Sequence, residues 1–199
     1  MFYAAQESGT LRDDYPVRWR QSAHKNDGRQ CGLDLEGGYY DSGDYMKYTF
    51  PLAWTMTVLS WSALEHRNTL EELGLWKKYV HVIEHGTKWL MKANPEARTL
   101  VAVVGDPDID HQSWGRPQDQ YGPRPCMKVS RYAPGTDVAA EVAAALAAAS
   151  KIISDERRPK WHGLKRNNSM ISLINTVGFT PKLSKRSRVT MSRIHTRMS

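Results

Sequence analysis

Two long stretches of this chain, residues 9 to 36 and 98 to 135, carry no sustained hydrophobic period, and each delivers the chain into a segment that does. Both read as long irregular stretches, and a loop of such length inside a compact domain is generally functional. From Pro51 to about Glu65, Leu52, Met56, Leu59 and Ala63 recur at three and four and mark an amphipathic helix, with Pro51 at a favoured first helical position. A second helix is expected from about Leu70 to Ala93, with Trp76, Val80, Ile83, Thr87 and Leu90 on one side and Asn94-Pro95 as its stop. A third runs from about Asp137 to Ile153, where eight alanines give high propensity and let neighbours approach closely; Thr136 or Asp137 is its N-cap. Leu100 to Val104 reads as a strand or a buried extended segment. Trp54, Trp61, Trp76 and Trp89 lie within the helical patterns and are expected in the core.

The chemistry concentrates in Gly37-Gly38-Tyr39-Tyr40-Asp41-Ser42-Gly43-Asp44, just ahead of the first long helix. Its glycines permit turn conformations closed to other residues, so Asp41 and Asp44 need not follow a regular element. Two acids on one loop can hold a water and deprotonate it, the general-base half of a hydrolysis. Read without context, one Asp caps a turn and the other faces solvent. In the second irregular stretch, Asp106, Asp108 and Asp110 alternate as in a calcium loop but lack its central Gly and terminal Glu, which disfavours a metal there.

The segment from Leu33 to Asp44 closely resembles the signature of glycoside hydrolase family 9, the inverting endoglucanases or cellulases, whose members read DLTGGYYDAGD here. The resemblance extends in order through Phe2 to Gly9, Asn26-Asp27-Gly28, Asp110-His111, Trp114, Arg124-Pro125 and Pro134 to Glu141, ending near Ile153. It implies an all-α fold, an incomplete (α/α)6 barrel of N-terminal helical hairpins with long loops, over residues 1–153. It also implies that Asp44 is the general base, that Asp41 helps hold the same water, and that His111, Trp114 and Tyr40 contact substrate. A pyranose offers an apolar face and a hydroxyl rim, which suits one flat aromatic and one polar partner. The family's proton donor is a Glu near the C-terminus of the complete catalytic domain, and no part of this chain corresponds to it. Little turnover by the chain alone is therefore expected, and the alternative reading is a non-catalytic carbohydrate-binding or unfolded remnant of such an enzyme. Asp27 is read as a turn residue, Glu141 as structural, and Glu156 is given no catalytic role. Ser42, Tyr45 and Gln118 depart from the family's usual Ala, His and Glu.

Composition supports a neutral substrate. Residues 151 to 199 hold 12 Lys and Arg against 2 Asp and Glu, whereas residues 1 to 150 hold 16 basic and 19 acidic residues, so the overall +7 belongs to the tail. The body is mildly acidic and rich in Trp and Tyr, as suits a β-1,4-glucan partner rather than a polyanion. Residues 154–199 lose the helical period and are expected to be a disordered basic tail of non-family sequence. With few aromatics and no binding motif, the tail is not read as a nucleic-acid arm. Cys31 and Cys126 have no metal-ligand spacing and form either one bridge or two buried free thiols. No cofactor, no membrane partner and a monomer are expected. The family is typically secreted and no signal core follows Met1, so an N-terminal segment is expected to be missing.

Overall fold

The computed structural model describes residues 1–112 and 114–156, with side chains as far as 153. The tail expected to be disordered lies outside the described residues, apart from the end of the last helix. Among the described residues, α-helices α1 (Phe2–Gln6), α2 (Thr49–Glu65), α3 (Arg67–Glu72), α4 (Trp76–Ala93), α5 (Pro107–Asp110) and α6 (Thr136–Glu156) combine with strands β1 (Lys47–Tyr48), β2 (Thr99–Val104) and β3 (Cys126–Ser130). The fold is helix-rich as expected. The addition is a small antiparallel sheet of order β1-β2-β3, in which β3 falls within a stretch read as irregular.

The three long helices α2, α4 and α6 pack on one another and on β2. Leu52, Ala53 and Met56 of α2, Trp89, Leu90 and Ala93 of α4, Ala139, Val142 and Ala145 of α6, and Leu100, Val101 and Val104 of β2 form one buried cluster. A second cluster joins Ala63, Trp76, Val80, Ile83, Ala149, Ile152 and Ile153 farther along the same helices. The small residues set the spacing. A Cβ placed on Gly86 of α4 would lie 2.4 Å from the Met56 sulfur, so the Met56 side chain of α2 fills the space that a larger residue at 86 would take. Glu141, read as structural, accepts from Thr57 Oγ1 at 2.7 Å and ties α6 to α2.

Two local features correct the sequence reading. The segment expected as one helix over 70–93 is broken: Gly74 takes a left-handed φ of 64°, Gly74 N–H donates to Glu71 O and Leu75 N–H donates to Leu70 O. Those paired bonds close a helix in the Schellman manner and end α3 before α4 begins. Of the four helical tryptophans, Trp76 and Trp89 are buried, but Trp54 and Trp61 are 58% and 64% exposed. With Phe50, Val58 and Leu64, these two form an outward apolar stripe along α2, which is apolar around its whole circumference. The face read from Leu52, Met56, Leu59 and Ala63 does turn inward, but the opposite face is apolar too, so the tryptophans there could not be assigned from composition.

Cys31 and Cys126 are joined, with Cα atoms 6.1 Å apart across 95 residues. The bridge fastens the first long loop to the start of β3, where Cys126 pairs with Val104. This resolves the choice between a bridge and two free thiols.

Candidate active site

The loop carrying the two aspartates is tied down before they appear. Leu35 O accepts from Trp89 Nε1 at 2.9 Å and Lys47 Nζ at 3.2 Å; Glu36 O accepts from Lys92 Nζ, and Gly37 O from Lys47 Nζ at 2.7 Å. Gly38 O accepts from Ser8 N–H and from His85 Nε2 at 3.0 Å. Gly38 itself has a φ of 75°, and a Cβ there would lie 2.6 Å from Trp89 Cγ, so the backbone rests directly on the indole. Asp41 N–H then donates to Met46 O at 2.9 Å, closing residues 41 to 46 into a compact turn.

Within that turn Asp44 is mostly enclosed. Its Oδ1 accepts from Met46 N–H at 3.1 Å, and its Oδ2 accepts from His111 Nε2 at 3.1 Å. Asp41 is half-buried, and burial first, then the charge of Asp44, raises its pKa above the ordinary carboxylate value. Two carboxylates that sense one another beside an imidazole have lone pairs to spare for a water between them. Trp114 is 85% exposed, and its ring edge lies over Gly43, 3.3 Å from where a Cβ would stand. The structure thus brings Asp41, Asp44, His111 and Trp114 to one place from two loops far apart in sequence.

Tyr40, expected against substrate, is a correction. It is buried, its hydroxyl shares a 2.6 Å hydrogen bond with His24 Nδ1, and its ring packs edge-on against His24 and Tyr45. Burial pushes its pKa up to about 12. Its N–H donates to Gln6 O at 2.8 Å and its hydroxyl meets His24, so both polar ends of Tyr40 are satisfied inside the protein. Tyr45 is buried as well; its hydroxyl bonds Gly115 O and accepts from Gly115 N–H at 3.2 Å, which fixes the loop bearing Trp114.

The residues that sequence reasoning undervalued lie underneath. Asp27, taken as a turn residue, is 1% exposed at its side chain, 2.6 Å from Lys47 Nζ and doubly bonded by Arg124 through Nε at 2.6 Å and Nη2 at 3.2 Å. Burial works against its charge, but Lys47 and Arg124 outweigh it and hold its pKa low. Burial drives Lys47 down to about 8 against the pull of Asp27. The available signal was Lys47 itself, a lone cation between apolar Met46 and the helix of Pro51. The Asp106 carboxylate caps α5 through Asp108 N–H, and Asp110 turns inward.

The profile of glycosyl hydrolase family 9 matches residues 1–161. The chain belongs to glycosyl hydrolase family 9. Among relatives in the family, Endoglucanase 21 of Oryza sativa subsp. japonica is 45% identical over 164 residues, 82% of this chain and 31% of that protein. Endoglucanase 15 of Arabidopsis thaliana is 43% identical over 150 residues, 75% of this chain and 30% of its own length. Among solved structures, the endoglucanase of the termite Nasutitermes takasagoensis superposes with a TM-score of 0.81 at 36% identity, covering 89% of this chain and 40% of the termite chain. A cellulase of C. cellulolyticum in complex with cellobiose gives 0.76 at 27% identity, covering 89% and 39%. This family 9 chain therefore spans about a third of the length of the curated relatives it matches. Its helices form part of the (α/α)6 barrel of these glycoside hydrolases.

Proposed function

We propose that this chain supplies the water-activating side of an inverting hydrolysis of β-1,4-glucan. Asp44 is the general base, Asp41 the second holder of the water, and His111 and Trp114 face the sugar. The observation that carries this reading is the convergence on Asp44: a backbone N–H on one carboxylate oxygen, an imidazole on the other, a second carboxylate beside it and an exposed indole over the same turn. Inversion needs two carboxyls about 6.5–9.5 Å apart on opposite sides of the bond, one to protonate the leaving oxygen and one to activate water. Asp41 and Asp44 lie on one loop and cannot divide those tasks. By the family resemblance, the proton donor is the late Glu to which no residue here corresponds. The cellobiose-bound family 9 cellulase supports a glucan as the substrate class. The Cys31–Cys126 bridge supports an oxidising, extracellular setting.

The test is a chimera in which residues 1–156 replace the matching segment of the termite endoglucanase. It is expected to release reducing ends from soluble β-1,4-glucan, with a loss of roughly 10²–10⁴-fold on Asp44→Asn. The chain alone should bind cellotetraose as a monomer and release almost none. Full activity of the Asp44→Asn chimera, or robust hydrolysis by the isolated chain, would refute the assignment.

A further inference from the structure

We propose that Asp110 and Arg124 are positioning residues for the water-activating carboxylate, because between them they fix both peptide units that follow Asp44. This rests on the reading of Asp44 as the base. The first unit is Asp44 C=O with Tyr45 N–H, and that N–H donates to Asp110 Oδ2 at 3.1 Å. The second is Tyr45 C=O with Met46 N–H. Arg124 Nη2 donates to the carbonyl at 2.8 Å, while the N–H on its other end is the donor that holds Asp44 Oδ1. A shift of either unit would redirect the Asp44 carboxylate. Asp110 also precedes His111, the donor to Asp44 Oδ2, so both oxygens of Asp44 depend on groups whose places are set from below.

The two clamps are themselves joined. Gln120 donates through Nε2 to Asp110 Oδ1 and accepts at Oε1 from Arg124 Nη1 at 3.2 Å. Arg124 is doubly bonded to Asp27, which pairs with Lys47. Asp110 and Asp27 together balance Arg124 and Lys47, so the buried network is neutral, and each charge has a hydrogen-bonding partner. Satisfied polar networks of this kind rigidify what they hold. Lys47 also fastens Gly37 O, so the anchoring reaches both ends of the aspartate loop.

The experiment uses the full chain as it is. The carboxyl-carbon resonance of Asp44 and the ring resonances of His111 and His85 are followed by NMR in the unmodified protein and in Asp110→Asn and Arg124→Lys. Lysine keeps the charge of Arg124 but not its fork, and asparagine keeps the shape of Asp110 but not its charge. Asp44 and His111 are expected to move in both variants, while His85, held by Glu7 and Gly38 on another side of the loop, stays in place. Unmoved Asp44 and His111 signals in both variants would overturn the proposal. So would changes that spread equally to His85, which would mean general loosening. Failure of the glucan reading would register separately, as absence of cellotetraose binding by the unmodified chain.

Discussion

Lys47 Nζ lies 2.6 Å from Asp27 Oδ2, and both side chains are sealed from solvent beneath the aspartate loop. Removing one member of such a pair is costly because the survivor keeps its charge without compensation, by roughly 3–5 kcal/mol. Asp27→Asn strands two cations at once, Lys47 and Arg124, and is expected to lose stability at the upper end of that range in urea unfolding. Lys47→Met leaves Asp27 its Arg124 partner and should lose clearly less. Equal losses would mean that the triad does not act as a unit.

Acid should destabilise the fold in two stages. Burial first, then the Arg124 guanidinium, lowers His24 to about 3, so below pH 6.5 the unfolded chain takes up a proton that the folded chain refuses. Stability from this group is complete above pH 6.5 and falls by about 1.4 kcal/mol per pH unit below it. Asp27 and Glu7 follow. Both oppose their burial with cationic or hydrogen-bonding partners and sit below their ordinary values of 3.8 and 4.5, so their contribution is present above those values and lost as pH falls through the lower folded ones. Urea midpoints between pH 7 and 4 should flatten in His24→Gln; an unchanged slope would remove His24 from the account.

The disulfide closes 95 residues and joins the first long loop to β3. Chain-entropy reasoning assigns a loop of that size about 4–5 kcal/mol. Reduction, or Cys31→Ser with Cys126→Ser, should lower the unfolding midpoint accordingly. An unmoved midpoint would show that the unfolded chain is already compact across this span.

Trp114 is the sharpest separation of binding from folding. Since its ring is 85% exposed, Trp114→Ala should leave the thermal midpoint nearly unchanged. Covering a ring of this size with a sugar face contributes roughly 1.5–3 kcal/mol, so cellotetraose affinity should fall about 10- to 100-fold. Scanning calorimetry reads the first arm and titration calorimetry the second, and undiminished affinity would remove Trp114 from the binding surface.

The helices were legible where one face was apolar and the other polar, as along α4 with Trp76, Val80, Ile83 and Leu90. On α2 the span and the inward Leu52, Met56 and Ala63 were legible too, but Trp54 and Trp61, expected in the core, face outward because the far side of that helix is apolar as well. Asp41, Asp44, His111 and Trp114 could be named from motif resemblance. The supports beneath them could not, because Asp27, Lys47, Asp110, Gln120 and Arg124 meet only through long-range folding, across 97 residues in the case of Asp27 and Arg124. Tyr40 failed for a related reason. A tyrosine in such a motif is equally suited to lining an open surface and to carrying the loop above it from below.

The contact between Gly38 and Trp89 limits how this loop can be redesigned. With the indole pressed against position 38 and a left-handed backbone there, no side chain can be added without lifting the segment that leads to both carboxylates. Variation of this loop must therefore begin downstream, around the exposed Ser42 and the Trp114 rim, while the floor of the loop is left untouched.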